Sequence, residues 1–334
     1  MTQRTKEVRE VVAKLDEIID KYKKEHPAPK RDWRTYEQEF ARRARTCFNE
    51  LEPLVDEAVS SINITTGENR GNEPKLTLKQ KVLVLLLKHF CGKSNRSMEW
   101  MTVLFLWLTN VDVSYKTIER LYSDEAVMLA IFNLHSLLLK KKGVDKSDCS
   151  GDGTGHAVYV AQHYATSAKK LKDKAKENSG TLKFVYSFAL MDIHKRMYIG
   201  YGTSFKSEKG AFEKAIEMAK ELGIKVESLR LDKYYSAEAY VNLCQEHLGN
   251  VRMYLIPKSN IAHLGIGEWC SNVYRFLEDT KAFLEEYFKR NQSESGIAED
   301  KKRTGWKFAQ KREDRVATAY GLSVTWHNLL WLGA

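Results

Sequence analysis

Apolar positions in the first third of the chain recur at helical spacing. From Glu7 to Tyr22 they fall at Val8, Val11, Val12, Leu15, Ile18, Ile19 and Tyr22, a sevenfold repeat that predicts one amphipathic helix, docked on its own domain or used for dimerisation. Pro27 and Pro29 end it. A second helix is expected from about Arg31 to Ile62, interrupted at Pro53, with Arg42, Arg43 and Arg45 either at phosphates or on a solvated face. After a loop rich in Gly and Asn, Thr77 and Gln80 form a capping box for LKQKVLVLLLKHF, and a further helix is expected around SMEWMTVLFLWL. A short polar helix then opens at Ser114 and closes at Leu121 and Tyr122. These three elements suit a helix-turn-helix, in which Ser114, Tyr115, Lys116, Thr117 and Arg120 would meet base edges and phosphates; an ordinary helical bundle fits the same pattern. The next helix starts at Ser123, Asp124 and Glu125 and ends at Lys140, Lys141, Lys142 and Gly143, matching the helix dipole and the usual C-cap.

The pattern changes at Asp148. DCSGDGTGHAVYV reads as turn residues around Asp152 followed by an alternating strand, which holds Asp152 on or beside a strand. A phosphate-binding loop is the competing reading, but the GxxxxGK[ST] spacing is absent and no helix opens there. LKFVYSFALMD and RMYIGYGTS, joined by IHK, read as a β-hairpin. Then come a helix closed by Gly223, a strand ending at Asp232, a helix over AEAYVNLCQEHLG and the strand VRMYLIP. This order predicts a mixed sheet with helices packed on it, α+β or α/β in class, preceded by an all-α region. The expected divisions are 1–62, 76–143 and 148–334. The ending RVATAYGLSVTWHNLLWL reads as one amphipathic helix against the sheet.

Composition narrows the function. With 334 residues, 43% hydrophobic, the chain can fill two or three domain cores, and a formal net charge of +10 favours a polyanionic partner. Cys47, Cys91, Cys149, Cys244 and Cys270 are scattered, odd in number and never spaced CxxC, which predicts neither disulfides nor structural zinc. The N-terminus has no signal-peptide core, and the runs VLVLLL and VLFLWL are too short to span a bilayer. A cytoplasmic, nucleoid-associated protein is expected. His156, His163 and His194 lack metal-ligand spacing and read as structural or solvated.

The most informative stretch is YFKRNQSESGIAEDK. Counting from Tyr287, the residues Arg290, Glu294 and Lys301 follow at offsets of three, seven and fourteen, which on one helix fall at about 300°, 340° and 320° and so share a face. One carboxylate between two cations suits a metal ligand whose neighbours grip phosphate oxygens; a solvated face with i,i+4 pairs is the plain alternative.

This spacing resembles the YREK motif of bacterial and archaeal insertion-sequence transposases. Asp152 in DGTGH, Asp232 in LRLDKYYS and Glu294 in RNQSES likewise resemble the acidic triad of the ribonuclease H-like core of DDE transposases, over roughly Asp148 to Leu332. Two departures stand out. Lys233, Tyr234 and Tyr235 follow the second Asp where many relatives have a small residue, then another residue and an aromatic. Only about forty residues separate Ile256 from Glu294, too few for the long β insertion common in YREK relatives.

The resemblance implies two Mg²⁺ ions, replaceable by Mn²⁺, with Asp152 bridging them while Asp232 and Glu294 each secure one. It also implies cleavage at the inverted repeats of an insertion sequence, then attack of the freed 3′ hydroxyl on target DNA. Arg290 and Lys301 would clamp phosphates, and Tyr287 would pack on the same strand. Trp306 would stack on an extruded base or pack in the core. Double-stranded DNA is the expected partner, a homodimer the expected synaptic form, and a membrane no part of the picture. An inactive DNA-binding descendant, or a nuclease that cuts without joining, are the alternatives.

Overall fold

The computed structural model describes residues 3–27, 32–62, 76–92, 113–158, 184–305 and 307–333. The expected helix around SMEWMTVLFLWL, His163 and Trp306 lie outside the described residues.

The N-terminal helices follow the apolar stripes with two corrections. The first segment is two helices, α1 (Gln3–Ala13) and α2 (Leu15–Glu25), separated at Lys14, where the backbone turns to φ −94° and ψ 4°. Val8, Val12 and Leu15 are buried, while α2 buries only that first residue. Helix α3 (Trp33–Ser60) runs unbroken through Pro53. A proline there removes one backbone hydrogen bond, and burial of Cys47, Leu51, Leu54, Val55 and Ala58 along the same face outweighs that loss. Helix α4 (Leu78–Phe90) opens with the expected capping box, in which Gln80 N donates to Thr77 Oγ1 at 3.2 Å and Thr77 N to Gln80 Oε1 at 2.9 Å. Helix α5 (Tyr115–Leu121) is capped by Ser114. Helix α6 (Glu125–Lys142) runs from an Asp124 cap to Gly143, which takes the left-handed conformation at φ 70°.

The sheet begins three residues later. Strands β1 (Lys146–Val158), β2 (Phe184–Asp192), β3 (Tyr198–Ser204), β4 (Lys225–Arg230) and β5 (Arg252–Tyr254) are ordered β3-β2-β1-β4-β5, with β6 (Lys307–Phe308) also on β1. β1, β2 and β3 pair antiparallel; β4 pairs parallel to β1 and to β5. Helices α7 (Glu208–Glu221) and α8 (Glu238–Leu248) supply the crossovers around β4. After β5 come α9 (Gly267–Glu278), α10 (Thr280–Phe288), α11 (Asn291–Thr304) and α12 (Glu313–Leu332). The mixed sheet flanked by helices is as expected.

The last helix differs from its reading. Instead of one apolar stripe, α12 buries nearly every residue from Val316 to Leu330, because it is packed on all sides, by α3, α4 and α6 and by β3. Trp326 is fully buried and its indole nitrogen donates to Leu86 O at 2.8 Å. The buried apolar residues form one connected cluster from Val8 to Leu330. Among the described residues no helix is long and apolar enough to cross a membrane.

Candidate active site

Along one side of β1, strand β2 pairs without interruption from Cys149 to Ala157. Along the other, β4 pairs only as far as Ser150 opposite Arg230, and β6 takes over at Ala157. Between them the edge of β1 has no strand neighbour among the described residues, and Asp152 sits there. It lies on a continuous strand, as expected, and the flanking Gly151 and Gly153 serve close packing. A Cβ on Gly151 would lie 2.8 Å from Leu231 Cδ2 and from the Phe188 ring, and one on Gly153 would collide with the Glu208 carboxyl.

The same register brings the second acid alongside. Asp152 and Asp232 each lie two residues beyond the last pair, Ser150 and Arg230, which brings Asp232 within electrostatic reach of Asp152. Asp232 lies just past β4, two residues beyond the observed strand end. It accepts from Lys233 N at 2.5 Å and so caps a turn of 3₁₀ helix over Lys233–Tyr235. Of the two tyrosines there, Tyr235 is buried and Tyr234 is 54% exposed, which resolves which aromatic faces the core.

The third acid comes from the α10–α11 junction. A single helix over the Tyr287–Lys301 spacing is not what forms: α10 ends at Phe288 and α11 starts at Asn291. Arg290 keeps near-helical angles, φ −61° and ψ −24°, so the phase across the break is almost preserved. Its guanidinium lies over the Tyr287 ring, 5.4 Å from the centroid, and Nη2 stands 2.7 Å from Glu294 Oε1.

Charge ties the set together. Burial is the largest cause pushing the Asp152 carboxyl up to about 7; the negative charges of Glu294 and Asp232 push the same way, and Arg290 pulls back. Burial disfavours the charge on Arg290, yet Tyr287, Glu294, Asp232 and Asp152 together hold its pKa above the ordinary value. One guanidinium thus stands within electrostatic reach of all three acids. The Tyr287 phenol, buried, is pushed up to about 12. Lys301, only 5% exposed, donates to Thr154 Oγ1 and, at 3.2 Å, to Gly155 O on the open edge of β1; burial lowers its pKa while Asp152 acts to raise it.

As placed, no three Asp, Glu, His or Cys side chains among the described residues close into a ready ligand set. In chemistry the donors still suit a hard divalent cation, being oxygen acids whose mutual repulsion such an ion would relieve.

The other candidate residues are dispersed. On α5, Ser114, Lys116 and Arg120 are exposed, Tyr115 and Thr117 half-buried, and Ile118 and Leu121 anchor the helix. Ser114 Oγ accepts from Thr117 N at 3.4 Å, so these two residues also serve the helix start. His156 is buried against Ser187, and burial takes its pKa down to about 3; His194 meets Asp148 at 3.1 Å. Two groups near the acids carried no signal in the pattern. Glu208, at the start of α7, abuts Gly153 and accepts from Tyr235 Oη at 2.6 Å. Arg230 on β4 binds the Glu286 carboxylate and, at 2.9 Å, its backbone carbonyl, fastening the end of α10 to the sheet just before Tyr287.

The fold and this cluster define a mixed α/β protein in which a half-buried acid, Asp152, and two exposed acids, Asp232 and Glu294, gather where the pairing along one edge of its continuous central strand is interrupted among the described residues. A protein of Archaeoglobus fulgidus, described as the probable transposase for insertion sequence element ISA1214, is 40% identical to this chain over 324 residues, covering 96% of the chain and 94% of that protein. No family model matches the chain, and no solved structure matches it. The chain belongs to the family of insertion-sequence transposases.

Proposed function

We propose that the protein is a DDE transposase with a ribonuclease H-like core. On this reading it binds the terminal inverted repeats of its insertion sequence, cuts them in a Mg²⁺-dependent reaction and joins the freed ends to target DNA. The observation that carries this is the gathering of Asp152, Asp232 and Glu294 around Arg290, which pairs with Glu294 at 2.7 Å and feels the charge of all three. The strand order β3-β2-β1-β4-β5, antiparallel on one side of β1 and parallel on the other, supports the core assignment.

Asp152, Asp232 and Glu294 would hold the metal, with Mn²⁺ able to replace Mg²⁺. When bound, a pair of such ions supplies a hydroxide-like nucleophile and stabilises the departing 3′ oxygen. Arg290 offsets part of the acids' charge as the site stands; with that charge balanced otherwise, its planar fork is available for a phosphate. Lys301 braces β1 through Thr154 and Gly155 and thereby orients the strand that carries Asp152. Tyr287 backs the Arg290 guanidinium. The exposed Ser114, Lys116 and Arg120 on α5 face the end repeats, and synapsis of two ends calls for a homodimer.

Incubation of the purified protein with labelled element ends, target plasmid and Mg²⁺ tests this. Cleavage followed by joining is the expected result. Cleavage without joining would make the protein a nuclease, and binding without cleavage an inactive descendant.

A further inference from the structure

On another side of α11 from Glu294 is a cavity of about 580 Å³, enclosed by α3, α11, the turn between β2 and β3, and the end of α12. Four cations line it, Arg42, Arg43, Arg196 and Lys302, against two acids, Glu39 and Glu299. One of those acids is already engaged: Glu299 lies 3.6 Å from Arg303 Nη2 and accepts from Tyr36 Oη at 3.5 Å. The cavity therefore has an excess of positive charge.

Its construction is specific. Arg43 is 5% exposed and its Nη1 has no hydrogen-bond partner among the described residues, which is a costly state for a buried guanidinium. The Trp331 indole nitrogen is likewise buried with no partner among the described residues. The guanidinium carbons of Arg43 and Arg196 lie 4.2 and 4.6 Å from the Trp331 ring centroid, so the indole holds both in place. Arg196 has φ 56°, a left-handed conformation that is strained for a residue with a Cβ, and its carbonyl accepts from His327 Nε2 at 2.9 Å. Cations held this way against strain and burial create a demand for an anion.

We propose that this cavity binds a phosphodiester of a single DNA strand that has left the cleft holding Asp152, Asp232 and Glu294. The inference rests on the reading of the chain as a DNA-processing enzyme. Ser295, next to Glu294 on α11, and Lys302, two turns on, both line the cavity, so a strand need pass only around one helix, roughly 10 Å across, to reach it. The recess has the size of a nucleotide and is too small for a duplex. Because guanidinium groups cover the Trp331 ring, recognition there is of phosphate and independent of base sequence.

The test is binding of a labelled single-stranded oligonucleotide to the full-length protein without divalent metal, across a salt series. The exposed pair Arg42→Ala with Lys302→Ala should weaken binding roughly tenfold at low salt and reduce the slope of log K against log salt by about 1.4, the value for two lost single-strand phosphate contacts. Arg196→Gly, which fits φ 56° without strain, should weaken binding with no fall in Tm. Unchanged affinity and slope in both variants, with wild-type protein binding the strand, would overturn the inference. If inorganic phosphate raised the wild-type Tm through these residues while strand binding stayed unchanged in the variants, the cavity would be a free-phosphate site and the DNA assignment would fail. Absence of any DNA binding by the wild type would instead sink the underlying functional reading.

Discussion

At Asp152, burial and like charge act in the same direction, and this has a consequence for stability. Its carboxyl titrates near 3.8 when exposed and at about 7 in the folded chain. A raised acid stabilises the fold fully below its unfolded pKa, and that contribution is lost as pH climbs through the folded value. The difference, roughly three units, corresponds to up to about 4 kcal/mol. Asp152→Asn should therefore raise Tm relative to wild type at pH 8 in metal-free buffer and give no gain at pH 4. Melts at the two pH values decide it, and equal differences at both would contradict the assignment. That Asp152, Asp232 and Glu294 were candidates could be read in the sequence because an acid beside glycines, an acid closing a strand and an acid at a fixed offset from Tyr and Arg are each visible locally. Glu208 and Arg230 were not, since each takes its role from a partner far along the chain, Tyr235 and Glu286 respectively.

Among the elements, the α10–α11 junction carries the Tyr, Arg and Glu side chains, and the Arg230–Glu286 pair fixes it to β4. The Arg230 side chain is 3% exposed, and it loses its carboxylate partner in Glu286→Ala while keeping Ser228 and the Glu286 carbonyl. A loss of about 2 kcal/mol is expected by denaturant unfolding, and Glu286→Gln should recover part of it. Helix α3 offers the opposite experiment. Replacing Pro53 with Ala restores a donor toward Asn49 O and should stabilise the protein by about 1–3 kcal/mol. Helix existence followed from apolar spacing, whereas the breaks did not. Lys14 and Arg290 are ordinary helix formers, and the chain turns there because the flanking segments pack on different neighbours. Pro53, a strong breaker locally, is overridden by the buried face around it.

Across the whole molecule, α12 joins the helices of the first half to the sheet of the second. Its burial on all sides was hidden because a helix packed by several partners loses the one-sided pattern that marks a surface helix. Trp326→Ala removes a fully buried ring and the donor to Leu86 O, and should cost about 4 kcal/mol. Because the buried residues form one cluster, the circular-dichroism and tryptophan-fluorescence transitions of this variant should shift together. The class of sheet was legible from the order of strand and helix patterns. The interruption along β1, where β4 stops before β6 begins, depends on pairing across 80 residues to β4 and 150 to β6, and no local pattern reports it.

Everything functional rests on Asp152, Asp232 and Glu294 sharing one cation site. Mn²⁺ binding to full-length protein, followed by electron paramagnetic resonance, tests that directly. Wild-type protein should bind Mn²⁺, and Asp152→Asn, Asp232→Asn and Glu294→Gln should each weaken it at least about tenfold, a loss of roughly 1.4 kcal/mol or more. Wild-type affinity in all three variants would contradict the account.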